Sequence, residues 1–308
     1  MDVSTIIVSY NTREMTLEAI RSALRETTRV SQEIIVVDNA SADGSAEAIA
    51  AEFPEIRLLA LDENLGFGPA NNVGAQEATG EYVLLLNPDT VTLDHAIDNL
   101  VEFAKANPQH RLYGGRTLTP ERTLDPTSVH GMPSLWAMFA RGIGLATLFK
   151  SSELFNPESL GTWKRDTVRE VPIVCGCLLL IERSLWETLG GFDEQFHMYA
   201  EEFDLCIRAR KEGARPVCCP SAEIIHIGGA SDRVLADQTV RQYRARMQLL
   251  NKHWPAWKAG LAARCLDLWA FNKLIRSRVL SLVNASHREL ASTWSTILSR
   301  RREWRFNR

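Results

Sequence analysis

Tyr82 to Leu86 is an unbroken apolar run that predicts a strand buried on both faces, and it stops abruptly at Asn87-Pro88-Asp89. The same pattern recurs upstream. Val3 to Val8 predicts a strand, followed by Ser9-Tyr10-Asn11-Thr12 and an amphipathic helix over about 13–27. Glu33 to Val37 predicts a second strand that ends in Asp38-Asn39, before a helix opened by Asp43-Gly44-Ser45. Ile56 to Leu61 predicts a third, ahead of Asp62-Glu63-Asn64 and a helix over 69–79. Such βαβαβα alternation implies an α/β fold with a parallel, doubly wound sheet whose polar strand ends share one edge. Ligands of such sheets collect beyond the carboxyl ends of the strands, where Pro88 stiffens the turn that presents Asp89.

Downstream, a helix over 93–106 and a strand near Leu112 precede a stretch, 117–169, that loses periodicity and is rich in Pro, Thr, Ser and Gly. An apolar patch from Leu135 to Phe149 inside it is broken by Arg141. Segments of this length inside a domain tend to bind or cover ligands. Val171 to Ile181 predicts a strand, Ser184 to Leu189 a short helix, Glu201 to Lys211 a helix with Asp204 placed to pair with Arg208, and Pro216–Cys219 and Glu223–Ile227 two short strands. Gly66-Phe67-Gly68 has the spacing of the first two glycines of a dinucleotide fingerprint. It follows the third strand rather than the first, however, and Asn71 stands where the last glycine belongs.

Apolar residues make up 45% of the 308 positions and charged residues 24%, an ordinary globular composition. The net charge of -3 conceals an asymmetry, since 241–308 carries fifteen Lys and Arg against three acids. The two regions must meet different partners. In the tail, Trp254, Trp257, Leu261, Cys265, Leu268, Ile275, Val279 and Leu282 recur at three- and four-residue spacing among Lys258, Arg264, Lys273, Arg276 and Arg278. Basic amphipathic helices of this kind lie on an anionic membrane face or pack on protein. Nucleic acid is not expected, because the charges alternate with large apolar residues. The six cysteines form no CxxC pair and read as reduced core residues. The longest uncharged apolar run is too short to span a bilayer, and no basic leader precedes Val3, so the expected location is cytoplasmic, or peripheral on the inner face of the plasma membrane.

The chemical candidates each have a plain structural alternative. Asp89 is either a ligand at a strand end or the cap of the following helix. Glu201 and Glu202 sit at a helix start, where macrodipole complementarity alone is worth about 0.3–1 kcal/mol per charge. His226, between Ile225 and Ile227, is either a core histidine or a metal ligand, and Asn39 is open to a turn role.

In their order along about 3–230, Ile7-Val-Ser-Tyr-Asn11, Ile35-Val-Val-Asp-Asn39, Glu63-Asn-Leu-Gly-Phe67 with Asn71, Leu84-Leu-Leu-Asn-Pro-Asp89, Gly190-Gly-Phe-Asp193, Tyr199-Ala-Glu-Glu-Phe-Asp-Leu205 and His226-Ile-Gly-Gly229 resemble the family 2 glycosyltransferases of the GT-A fold, and more closely their bacterial rhamnosyltransferase-like branch. The resemblance implies a Rossmann-like, mostly parallel sheet with flanking helices over 1–238, a nucleotide-binding half to about 116 and an acceptor half to 238. A basic helical extension follows over 239–308.

It further implies inverting transfer of a sugar, best matched by L-rhamnose from dTDP-L-rhamnose, to a glycan or polyprenyl-diphosphate-linked hydroxyl in bacterial surface polysaccharide synthesis. A UDP-sugar donor, or an inactive nucleotide- or glycan-binding relative, is the alternative. By the resemblance, Asp89 and His226 hold a divalent cation, Mn2+ or Mg2+. Asn87 replaces the first acid of the family's DxD, so the ion should bind weakly until nucleotide arrives. Asp38 accepts from the imide N–H of uracil or thymine, with Ser9, Tyr10, Asn11, Asn39, Asn64, Phe67 and Asn71 around the nucleotide and Cys175 and Gly176 near the sugar. Glu202 takes the place of the family's general base, usually the Asp of a Glu-Asp pair, with Glu201 as runner-up. The extra methylene matters because a misplacement of about 1 Å can cost on the order of 100-fold in rate. Oligomeric state stays open.

Overall fold

The run that ends at Asn87 is the fourth strand of a nine-stranded sheet in the computed structural model, which describes residues 1–228, 235–284 and 287–305. Gly229, the last residue of the His226 motif, lies outside the described residues. The chain divides into two units, Met1–His130 with Trp163–Ala230, and Gly131–Thr162 with Ser231–Arg308. Residues 131–162, read from the sequence as part of the catalytic domain, thus cluster with the C-terminal helices.

The first unit opens with β1 (Val3–Ser9), α1 (Arg13–Glu26), β2 (Gln32–Asp38), α2 (Ser45–Glu52), β3 (Arg57–Ala60), α3 (Phe67–Gln76) and β4 (Tyr82–Leu86). It continues with β5 (Thr90–Thr92), α4 (Ala96–Ala106), β6 (Leu112–Leu118) and β7 (Val129–His130). After the break come β8 (Arg169–Glu170), β9 (Ile173–Val174), β10 (Leu178–Glu182), α7 (Arg183–Leu189), α8 (Glu201–Lys211) and β11 (Val217–His226). Strand order is β3-β2-β1-β4-β10-β6-β11-β5, with β8 on β11. The expected parallel half is present: β3, β2, β1 and β4 run together, in a register that sets Ser9 beside Asp38 and Ile6 beside Leu85. Strand β10 then pairs antiparallel with both β4 and β6, so the sheet is mixed beyond β4. The core strands are apolar on both faces because helices cover both.

Three sequence expectations are corrected. The run Val171–Ile181 is not one strand; it breaks at Cys175-Gly176-Cys177, with β9 pairing β7 in a separate ribbon and β10 in the main sheet. Both halves are buried, so hydrophobicity could not mark the break. Conversely, the two pieces read over 216–227 are one strand, β11, whose register shifts between Cys218 and Glu223, where Pro220 cannot donate to a ladder. Thr90–Thr92 forms β5, so the helix expected from 93 starts at Ala96.

In the second unit, α5 (Leu135–Gly142) and α6 (Leu145–Leu148) join α9 (Leu235–His253), α10 (Ala256–Ser281), α11 (His287–Ser299) and α12 (Arg302–Arg305). Met138, Tyr243, Met247, Leu266 and Trp304 share its core, and the Tyr243 and Trp304 rings meet edge to face at 5.2 Å. Arg141, which breaks the apolar patch in sequence, faces the buried Glu158 at 3.4 Å, and Arg246 reaches the same carboxylate. No helix among the described residues is long and apolar enough to cross a membrane.

Candidate active site

The polar ends of β1, β2 and β4 do lie on one edge of the sheet. Of the residues expected around a nucleotide, several spend their side chains internally. The Ser9 hydroxyl is buried against Thr16 at 3.0 Å. Asn39 donates to Asn64 Oδ1 and the Gly66 carbonyl and accepts from the Leu65 amide. Asn64 Oδ1 also accepts from the Gly66 amide, and Asn71 donates to the Phe67 carbonyl one turn back. Asn39 and Asn64 thus shape the loop before α3, while the Asn71 bond lies within α3. Asn11, at positive φ, accepts from the Ala42 amide and ties the β1 end to the loop after β2. Tyr10 is exposed. Asp38 is buried, with Oδ2 accepting from the Ser41 amide and Oδ1 lacking a partner. Asn87 Oδ1 is likewise buried and unpartnered. Buried acceptors left unsatisfied are costly, and both stand where a ligand would arrive.

Asp89 and His226 are brought together by β5–β11 pairing, which sets Thr90 opposite His226 and is extended by the Ile227 amide donating to the Asp89 carbonyl at 2.9 Å. His226 Nε2 lies 3.4 Å from Asp89 Oδ1, while Asp89 Oδ2 accepts from the Gly228 amide. On its other side His226 Nδ1 faces Asp125 Oδ2 at 3.6 Å. Burial alone would lower the imidazole pKa; the Asp125 and then the Asp89 carboxylates outweigh it and push it to about 10. Asp125 is a residue the sequence reading missed. Its only local signal is an Asp-Pro-Thr turn, in which Oδ1 accepts from the Thr127 amide and hydroxyl.

A carboxylate oxygen and an imidazole nitrogen facing each other suit a divalent ion such as Mn2+, which would compete with the proton on His226. Asp125 stands where a carboxylate fixes the tautomer of a ligating histidine. Among the described residues no group of three or more His, Cys, Asp or Glu is arranged to hold a metal, so protein ligation would rest on Asp89 and His226.

The turn at Cys175–Cys177 borders this pair, since the Cys177 carbonyl accepts from the Asn87 amide at 3.2 Å and the Phe67 ring lies over Gly176. A hydrogen bond with Cys177 and burial raise the Cys175 pKa, and the thiol lies within electrostatic reach of Glu202, Glu201 and His226. The Cys175 thiol is thus common ground between the two glutamates and His226. The two glutamates differ in setting. Glu201 is buried, its Oε2 unpartnered, and burial and then Glu202 raise its pKa well above the carboxylate range. Glu202 keeps partial exposure, and burial of its carboxyl lifts it to about 7. Two neighbouring carboxyls in unlike environments are a means of assigning one the work of a base near neutral pH.

The segment that carries them is held from several sides. Tyr199 and Ala200 both have positive φ, 70° and 69°, a costly pair for residues with a Cβ. Asn72 on α3 grips Phe192 twice, accepting from its amide at 2.8 Å and donating to its carbonyl at 2.9 Å. The Phe67 amide donates to the His197 carbonyl, and Gly66, at φ 92°, leaves room that a Cβ would take from that carbonyl. Arg208 pairs with Asp204 at 2.6 Å, as its spacing predicts, and donates to the Leu189 and Gly191 carbonyls. Asn72 was not singled out from sequence, and Arg208 only for its pair with Asp204, because the Phe192, Leu189 and Gly191 backbone groups they hold are more than a dozen residues away.

The glycosyl transferase family 2 model matches residues 4–188. An N-acetylglucosaminyl-diphospho-decaprenol L-rhamnosyltransferase of Mycobacterium tuberculosis is 32% identical over 262 residues, covering 80% of this chain and 83% of the relative. The O-antigen biosynthesis protein RfbC of Myxococcus xanthus is 28% identical over 74% of this chain and 18% of its own. Among solved structures, the mannosyltransferase PcManGT of Pyrobaculum calidifontis in complex with GDP-Man and Mn2+ aligns over 96% of this chain and 85% of its own, with TM-score 0.56 and 19% identity. GalNAc-T7 with UDP, GalNAc and Mn2+ aligns over 88% of this chain and 51% of its own, with TM-score 0.63 and 16% identity. At these identities the structural likenesses bear on the fold alone, which is GT-A.

Proposed function

Since the chain belongs to glycosyl transferase family 2 and is a glycosyltransferase, we propose that it moves L-rhamnose from dTDP-L-rhamnose to a hydroxyl of a lipid-linked or glycan acceptor, with inversion, in building a bacterial surface polysaccharide. What supports the mechanism is that Asp89 and His226 face each other and that His226, Glu201 and Glu202 all lie within electrostatic reach of the Cys175 thiol. The rhamnosyl assignment rests on the Mycobacterium tuberculosis relative, whose name also motivates a lipid-linked acceptor.

In the proposed reaction Glu202 takes the proton of the acceptor hydroxyl as its oxygen bonds to the anomeric carbon. The bond from that carbon to the diphosphate oxygen breaks on the opposite side, and its electron pair leaves with the diphosphate. Asp89 and His226 would hold a divalent cation, which when bound offsets the charge developing on the diphosphate. Asn87 contributes no charge where the family motif has an acid, which leaves the pair dependent on nucleotide for a complete ion site. The free Asp38 Oδ1 supports recognition of an imide N–H, present in thymine and uracil and absent from cytosine.

The test is a thermal-shift panel of dTDP, UDP, GDP and CDP, each with and without Mn2+, followed by hydrolysis of the preferred nucleotide's rhamnose conjugate. A nucleotide at 100 times its Kd should stabilise by about 2.7 kcal/mol. Stabilisation by dTDP that grows with Mn2+ is expected. Preference for GDP or CDP, or full stabilisation without the ion, would overturn the donor and metal assignments respectively.

A further inference from the structure

Helix α10 is apolar on two opposite faces. Ala259, Ala262, Ala263, Leu266 and Ala270 are buried in the core of the second unit, small residues that let neighbouring helices approach closely. At 3.6 residues per turn, Trp257, Leu261, Leu268, Phe271, Ile275 and Val279 fall within about 40° of a single line on the other side. All six are exposed, Trp257 by 66% and Val279 by 58%. Six large side chains left about half exposed amount to on the order of 500 Å², already within the about 300–600 Å² of the largest patch on a typical monomer.

The patch continues onto α5. Trp136 and Phe139 are exposed and, with Leu135, Leu261, Arg264 and Leu268, line a cleft of about 520 Å³ between the two helices. Arg264 lies in the stripe and Arg278 beside it, with Arg276 about 100° round the helix, whereas Lys273 stands on the opposite side. Acids are scarce, with three in 241–308 against fifteen Lys and Arg. A second copy of so basic a face would bring like charges together, whereas anionic headgroups would complement it.

We propose that the α5–α10 face docks onto an anionic phospholipid leaflet, its apolar stripe lying at acyl depth, its arginines at headgroup level and the cleft receiving lipid chains. Helices of this kind lie in the interface plane without spanning it. The proposal concerns the second unit alone and stands whether or not the donor assignment holds.

Flotation of the full chain with vesicles of phosphatidylcholine, alone or mixed with phosphatidylglycerol, tests it. Binding to the anionic vesicles only, weakened by salt, with a blue shift of tryptophan emission, is expected. The double variant Phe271→Glu/Ile275→Glu, at exposed positions that folding does not require, should lose flotation while keeping its circular dichroism and donor hydrolysis. Removing Arg264, Arg276 and Arg278 together as glutamines should weaken partitioning by about 100-fold, at about 1 kcal/mol per charge. Equal binding to neutral vesicles, flotation unchanged in both variants, or a wild-type dimer that Phe271→Glu converts to monomer would each overturn the proposal, the last by assigning the face to a second copy.

Discussion

Replacing Glu202 by glutamine should make the protein more stable and nearly inactive. Burial lifts this carboxyl from 4.5 to about 7. An unfolded chain ionises the group near 4.5, so between that pH and 7 the folded state holds a proton that the unfolded state has released. Stability therefore falls as pH rises through this window, and the loss is complete above 7. At about 1.36 kcal/mol per pKa unit the loss would be somewhat over 3 kcal/mol, and the partial exposure of the side chain brings it nearer 2. Glutamine has the same shape and never ionises, so at pH 8 the variant should melt several degrees higher, on a scale of about 2–4 °C per kcal/mol for large domains. Melting followed from pH 5 to pH 9 in both proteins checks this: the wild type should lose stability relative to the variant across the window and run parallel to it above 7. Turnover should drop by roughly 10²- to 10⁴-fold with nucleotide binding retained. In the wild type, kcat/KM should rise about tenfold per unit up to about pH 7 and then level. A melting advantage of the variant over the wild type that is no larger at pH 8 than at pH 5, or a variant that keeps its turnover, would refute the assignment of Glu202 as a desolvated base.

Asp125→Asn removes the carboxylate behind His226; Mn2+ affinity in the presence of dTDP, measured by calorimetry, should weaken by about 10–100-fold, with little change in nucleotide binding without the ion. Asp38→Asn offers an amide in place of one acceptor, so calorimetry should show a narrowed preference for dTDP over CDP. Asn72→Ala leaves the Phe192 amide and carbonyl without their partner and should lower melting by about 1–3 kcal/mol equivalent and reduce kcat, both absent if that turn is held by Arg208 alone. Trp304→Ala empties a fully buried site in the second unit and should cost about 3–5 kcal/mol in chemical denaturation of that unit.

The parallel half of the sheet was legible because β1, β2 and β4 each carry an apolar run that stops at polar residues, and the Asp204–Arg208 pair followed from spacing alone. Helix α5 was not, because Arg141 reads as an interruption until Glu158 is seen beneath it. Nor does sequence show that the Asn39 side chain also holds the loop before α3 and that Asn71 bonds one turn back within its helix. Asp89 and His226 are 137 positions apart, and what joins them is a three-residue strand too short to leave a periodic signature. Asp125 carries no pattern beyond a turn.

The paired bonds from Asn72 to Phe192 fasten α3 to the turn leading into the glutamates. A hybrid enzyme made by swapping the front portion of this chain for that of another transferase would lose the peg along with the exchanged piece, so donor choice and base placement cannot be traded independently unless position 72 and the turn it grips travel as a set.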